Sequence, residues 1–291
     1  MTRSRALVAL HVAVALFGFA GLFGKWLALS PIAIVLGRTA VAAAALGIVR
    51  LRTGSRAPFD VRLVGNGVVL AVHWSSFFAA IQASTVAIGL LGYATFPLFT
   101  LAIERIVAGR RASRREAVTA ALVTAGLVLL VPEISLANPV VTGLLWGVVS
   151  GASFALLAVM NRRWSATRPP LDIAFWQNLF AAAALAPFAW ASSWALGTIG
   201  AREVVLLLVL GLVCTALAHT LFIAALRVVS AHTASVVAAL EPVYGIVLAL
   251  ALLGEVPDPR TLAGGALIVA AAVNATRRAR LAAVGSRPPI G

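Results

Sequence analysis

Charge is scarce in this chain, and acid is the scarcest part of it. Only 11% of the 291 residues are Asp, Glu, Lys or Arg, and nine of those are acidic. A soluble domain carries about 25% charged residues to keep its surface in water. The shortfall argues against a soluble enzyme, a secreted binding module and a disordered chain. Cysteine is nearly absent as well. Cys214 stands alone, so no intrachain disulfide can form. No His, Cys or carboxylate cluster has metal-ligand spacing, so neither a metal nor another cofactor is expected.

Apolar residues fill the space that charge leaves. They make up 62% of the chain, and the mean hydropathy is +1.02. This composition describes an integral membrane protein whose solvent is lipid. The 23 basic residues give a net charge of +14, which in a soluble protein would suggest nucleic acid. In a membrane protein, arginines between spans set orientation, and no nucleic-acid partner is expected.

A spanning helix needs about 20 mainly apolar residues. Cutting the chain at its charged and Pro/Gly-rich joints gives ten expected spans: 6–28, 31–49, 63–82, 85–104, 116–132, 140–161, 171–191, 203–226, 231–253 and 261–276. The joints are too short for a soluble domain. Stretches such as Ala117–Val131 and Ala263–Val273 do not alternate, so a β-barrel is excluded in favour of an all-α membrane fold. The first span follows Arg3 and Arg5 like a signal peptide, but it runs on to Lys25 without an evident cleavage site and is read as a helix of the mature protein. With the N-terminus inside, nineteen of the basic residues fall on the inner side. Lys25, Arg202 and Arg260 fall on the outer side, and Arg38 lies within the second span. The expectation is a multi-pass protein of the cell inner membrane with both termini cytoplasmic.

Shifting the chain by 145 residues brings Pro97 onto Pro242, Gly109 onto Gly254, Arg115 onto Arg260 and Phe99 onto Tyr244. Each half then has a proline-broken span, a Gly-containing joint and a Gly/Ala-rich span. The expected halves are 1–137 and 138–291, five spans each. An odd number of spans makes the second half enter the membrane inverted. Secondary transporters are often built this way, with the site near the midplane between the halves.

At these residues the sequence resembles the drug/metabolite transporter superfamily, in particular its EamA-type ten-helix carriers. The carrying residues are Phe17-Gly18-Phe19-Ala20, Lys25, Pro31, Arg38 and Pro97 in the first half. In the second they are Trp146-Gly147, Ser150-Gly151-Ala152, Asn161-Arg162, Glu241-Pro242 and Gly254-Glu255. The most specific is a proline followed thirteen residues later by Glu, as in Pro242 and Glu255; the first half has Arg110 at the corresponding place. Within the family the pattern is similar to YddG-type amino-acid exporters. The resemblance implies an amino-acid or related small-molecule substrate; membrane lipid is a further expected partner, a monomer is the expected unit, and the inverted halves are expected to work by alternating access.

Ionisable groups within a bilayer are expensive and call for a reason. Glu241 falls in mid-span beside Pro242, where it can meet a substrate amine or a proton. His73 and His219 lie within the third and eighth spans and can bind a carboxylate or carry a proton. Helical spacing groups Tyr93, Pro97, Thr100 and Glu104; Trp146, Ser150 and Ser153; Thr215, His219 and Phe222; Glu241, Gly245 and Leu248; and Phe17, Gly21 and Gly24. The expected substrate-binding residues are Phe17, His73, Trp74, Tyr93, Trp146, Ser150, His219, Glu241 and Tyr244, with Pro97 and Pro242 as paired hinges. Each also has a structural reading. A carboxyl can lock a kink, a histidine can bond between helices, small residues let helices approach, and aromatics form interfacial belts. His11 and His232 rank lower, near span ends. Glu104 reads as a local partner of Arg105, Lys25 as a snorkelling cation, Arg38 as a structural or gating tie, and Arg110–Arg115 as a lipid-facing cluster. A drug or other metabolite carrier of the same fold is the rival reading. An intramembrane lipid-modifying enzyme would need a nucleophile with a base, and a channel would need a charged ring or filter; neither is legible.

Overall fold

The computed structural model describes residues 2–54, 59–108, 114–131, 135–165, 167–191, 199–229, 234 and 237–285, and these residues form helices and no strands. In chain order the helices are α1 (Arg3–Trp26), α2 (Pro31–Arg52), α3 (Arg62–Ala83), α4 (Val86–Tyr93), α5 (Phe96–Ala108), α6 (Arg114–Leu130), α7 (Pro139–Ser165), α8 (Pro170–Ala191), α9 (Ala201–Gly211), α10 (Ala218–Leu226), α11 (Glu241–Leu253) and α12 (Pro259–Gly285). A six-residue π-helical segment, Leu212–Leu217, joins α9 to α10 without a break. Seven helical stretches are long and apolar enough to cross a membrane, and three shorter apolar helices accompany them. Together they account for the ten expected spans.

Helix starts follow local chemistry. Ser30 caps α2 by accepting from the Ala33 amide, and Pro31 occupies the first turn, where a missing N–H costs nothing. Thr85 caps α4 through the Ile88 amide.

The fourth span is broken near its proline, as expected: it consists of two helices that part at Ala94 and Thr95. Pro97 has no N–H to offer the carbonyl of Tyr93, so the ladder stops there and a new helix starts. The ninth span behaves alike: α11 begins at Glu241 with Pro242 in its first turn. Most of 231–236, including His232, lies outside the described residues. The two prolines thus occupy matching places, each at the start of a helix that begins within the bundle.

Packing between spans is reciprocal. The third span (α3) packs on the sixth (α7), and the eighth (α10) packs on the first (α1). The fourth (α4, α5) meets the sixth, and the ninth (α11) meets the first. The second and seventh spans (α2, α8) pair with each other, as do the fifth and tenth (α6, α12). Two halves of five spans, the second inverted, give this pattern. Glycine sets the spacing at the reciprocal crossings. A Cβ on Gly147 would stand 2.8 Å from the Gly92 Cα, and one on Gly18 would stand 2.8 Å from the Gly245 amide nitrogen. Backbones this close are the usual way membrane helices gain dispersion contacts where lipid offers no hydrophobic driving force.

Candidate binding chamber

The crossings hold open a small chamber at mid-span. It is lined by Phe17 and Ala20 from α1, Arg38 from α2, His73, Trp74 and Phe77 from α3, Tyr93 from α4, Phe154 from α7, His219 from α10 and Glu241 from α11. Both halves contribute. Its free volume is about 30 Å³, on a scale where one water needs roughly 10–15 Å³. The walls are therefore drawn together in this conformation.

Arg38 is the most constrained of these side chains, with 1% of its surface exposed. Its Nε donates to Thr215 Oγ1 at 2.9 Å, and its Nη2 donates to the Cys214 carbonyl at 3.4 Å. The π-helical turn makes this possible. Its wider winding shifts carbonyls out of the regular ladder, and the Thr215 hydroxyl donates to Leu210 O at 2.7 Å, five residues back. The guanidinium also lies 3.8 Å from the centre of the Trp74 ring, a cation–π arrangement that suits its weak hydration. Two hydrogen bonds and one aromatic ring fix the cation at the chamber wall.

Glu241 supplies a carboxyl. It is buried at the start of α11 and lines the chamber together with Tyr93, across the half-to-half boundary. His73 lies between. Its Nδ1 is 3.0 Å from the Ser150 carbonyl and 2.8 Å from Ser150 Oγ, and that hydroxyl donates to the His73 carbonyl. A carbonyl can only accept, so Nδ1 carries the proton and Nε2 of the neutral ring is left as an acceptor. His219 is 7% exposed, and its Nδ1 has no hydrogen-bond partner among the described residues. Aromatic rings pack the remaining wall: Phe17 is 5.8 Å from His219, Trp74 is 5.2 Å from it, and Phe154 is 5.1 Å from His73.

Six of the nine expected binding residues line the chamber: Phe17, His73, Trp74, Tyr93, His219 and Glu241. Ser150 sits one layer behind, orienting His73. Tyr244 does not line it; its hydroxyl is 2.9 Å from His11 Nδ1. Trp146 is 46% exposed and also lies off the chamber. Several expected faces prove to be packing surfaces. Gly21 and Gly24 fit against Ile81 and its neighbours on α3, and Gly245 fits against Gly18. The Tyr93–Glu104 face is interrupted at the break before α5, and the Glu104 side chain lies outside those described. Lys25 donates to the Ser84 carbonyl. Arg38 is the expected tie, and it also lines the chamber. Phe77 and Phe154 were not singled out. Each stands four residues beyond a chosen residue, His73 and Ser150 respectively, and that spacing could have found them.

The sequence model described as the EamA-like transporter family matches the chain twice, over residues 4–131 and 141–276. An uncharacterized transporter of Archaeoglobus fulgidus is 28% identical over 222 residues, covering 75% of this chain and 77% of its own length. The uncharacterized transporter YwfM of Bacillus subtilis is 27% identical over 205 residues, covering 69% and 68% respectively. A protein of known crystal structure superposes with a TM-score of 0.67 at 23% identity, over 94% of this chain and 99% of the other. At that identity the likeness bears on the fold alone.

Proposed function

The chain belongs to the EamA-like transporter family and is a multi-pass membrane transporter rather than an enzyme; from that premise we propose that it exports amino acids across the cell inner membrane. The halves 1–137 and 138–291 rock about the chamber, exposing it to each side in turn, with both termini cytoplasmic and the monomer as the working unit.

One observation carries this reading. A single fixed cation, Arg38, and a single fixed carboxyl, Glu241, share a small chamber walled by aromatic rings, with the unpartnered His219 Nδ1 beside them. A free amino acid presents the complement: a carboxylate for the planar guanidinium fork, an ammonium for the carboxyl, and a side chain for the rings. The neutral His73 Nε2 gives the ammonium a further acceptor. Substrate entry requires the walls to part, as alternating access demands.

Counterflow in proteoliposomes against a panel of labelled amino acids and a cationic dye tests the proposal. Amino acids that compete while the dye does not are the expected result. Exchange of the dye alone would favour the rival reading, a drug or metabolite carrier, which the aromatic wall by itself would also suit. Running the same vesicles with and without a pH gradient separates proton-coupled export from passive or exchange transport.

A further inference from the structure

Three polar ties converge on one short stretch at the end of the bundle opposite the N-terminus. This stretch, Gln82 to Val86, is where α3 ends and α4 begins. Lys25 from the end of α1 donates to the Ser84 carbonyl. Glu255, just after α11, accepts from the Val86 amide at 2.9 Å through Oε2. Gln82 Nε2 donates to the Leu29 carbonyl, between α1 and α2, at 2.8 Å.

The signs of the two charges match what the turn offers. A helix C-terminus presents unpaired carbonyls and partial negative charge, and an N-terminus presents unpaired amides and partial positive charge. Ser84 follows the last residue of α3, and Val86 is the first residue of α4. The cation sits at the one and the anion at the other. Neither charge is committed to a side-chain partner on its own element, so both are spent on the α3–α4 turn.

The three ties come from α1, the α1–α2 joint and the segment after α11, and all reach the α3–α4 turn. Below them, Gly24 and Gly21 bring α1 against Ile81 on α3. A path that opens toward this face between α1 and α3 parts α1 and the segment after α11 from the α3–α4 turn. Doing so breaks the ties together.

We propose that Lys25 and Glu255 are gate-positioning residues: they latch the α3–α4 turn to the end of α1 and the segment after α11 and hold the chamber closed on the outer face. The latch rests on the transporter reading above. It goes beyond it in assigning closure of one face to two named charges that touch no substrate. Lys25 at this position is more than a snorkelling cation, and Glu255 is more than a marker of the family pattern.

The test uses the full chain in proteoliposomes, with Cys214→Ser removing the native thiol and Ala20→Cys placing one at the chamber wall. A membrane-impermeant thiol reagent is added from the outer face, and labelling rate is read. Lys25→Met and Glu255→Ala are each expected to raise the rate about three- to tenfold, as loss of a charge–helix-end contact should. Lys25→Arg and Glu255→Gln, which keep a donor and an acceptor, should fall back toward the parent rate. Gln82→Leu is a third variant that removes a tie without touching a charge, and it should raise the rate more modestly. Equal rates in the parent and all the variants overturn the latch. Failure of the amino-acid reading shows separately, as no counterflow by the unmodified protein, and leaves the labelling comparison intact.

Discussion

Arg38 and Glu241 carry opposite formal charges at one chamber, and each is tied down differently. Arg38 is held by three supports at once: Thr215, the Cys214 carbonyl and the Trp74 ring. Lysine keeps the charge but has no fork, so it cannot serve two acceptors and stack flat on a ring. Arg38→Lys should therefore reduce amino-acid counterflow at least tenfold while the protein still elutes as a folded species. Glu241→Gln retains the shape and the polarity at this wall but loses the ionisable carboxyl. If that carboxyl receives the ammonium, counterflow of zwitterionic substrates falls about 10- to 100-fold, the equivalent of roughly 1.5–3 kcal/mol for a charged hydrogen bond. Undiminished exchange by the glutamine variant would remove Glu241 from the binding role. Much of this was readable from residue type: an acid and two histidines in otherwise apolar spans stand out because lipid tolerates so few. The exclusion of Trp146 and Tyr244 was not readable. An aromatic on a membrane helix is equally at home facing lipid, a partner helix or a chamber, and its identity does not say which.

The informative places among the elements are where helices stop. Pro97 and Pro242 each open a helix within the bundle, each depriving the carbonyl four residues earlier of a donor. Tyr93 is that carbonyl's residue in the first half, and Gly151 packs against it: a Cβ there would lie 2.8 Å from Tyr93 O. The paired breaks are natural bending points. Pro97→Ala combined with Pro242→Ala should stiffen both spans and slow exchange several-fold with binding of substrate little changed; transport kinetics identical to the parent would rule out the hinge role. The start of α12 makes a second, independent case. Asp258 accepts from the Thr261 amide at 2.8 Å and from its hydroxyl at 3.1 Å, directly before Pro259. The Thr261 amide, chiefly, holds this carboxyl below the ordinary carboxylate range. Its folded value is the lower one, so the contribution is complete above the unfolded value near pH 4 and fades as pH drops through the folded value. Asp258→Ala is expected to lower stability by about 1 kcal/mol, seen as a fall in the thermal midpoint in detergent at neutral pH. That difference should shrink on acidification. Asp-Pro-Arg-Thr announces this helix start plainly in the sequence, as Ser30-Pro31 announces that of α2. The π turn at Leu212–Leu217 has no such signature. It arises where Thr215 and Cys214 are drawn to Arg38, a residue 176 positions away from Cys214.

Taken as a whole, the molecule is two five-span halves meeting at reciprocal crossings. The bias of the arginines predicts that both chain ends lie on the same side. Reporter fusions at residue 1 and residue 291 should both read as cytoplasmic, and a split result would undo the ten-span threading together with the chamber built on it. Membrane residence, the number of spans and the duplication could all be had from the one-dimensional pattern. In lipid every spanning segment must satisfy its own backbone, so each announces itself by about 20 apolar residues, and the breaks between them are marked by charge. Which side of each helix looks inward could not be had that way. In water the buried face is apolar and the exposed face polar, and periodicity separates them. In a bilayer the surrounding tails are as apolar as leucine, so a phenylalanine pressed against the chamber and a valine turned to lipid leave the same trace. Only the packing of distant spans, through glycine contacts and the anchoring of Arg38 on the eighth span, brought Phe77 and Phe154 to the chamber and left Trp146 outside it.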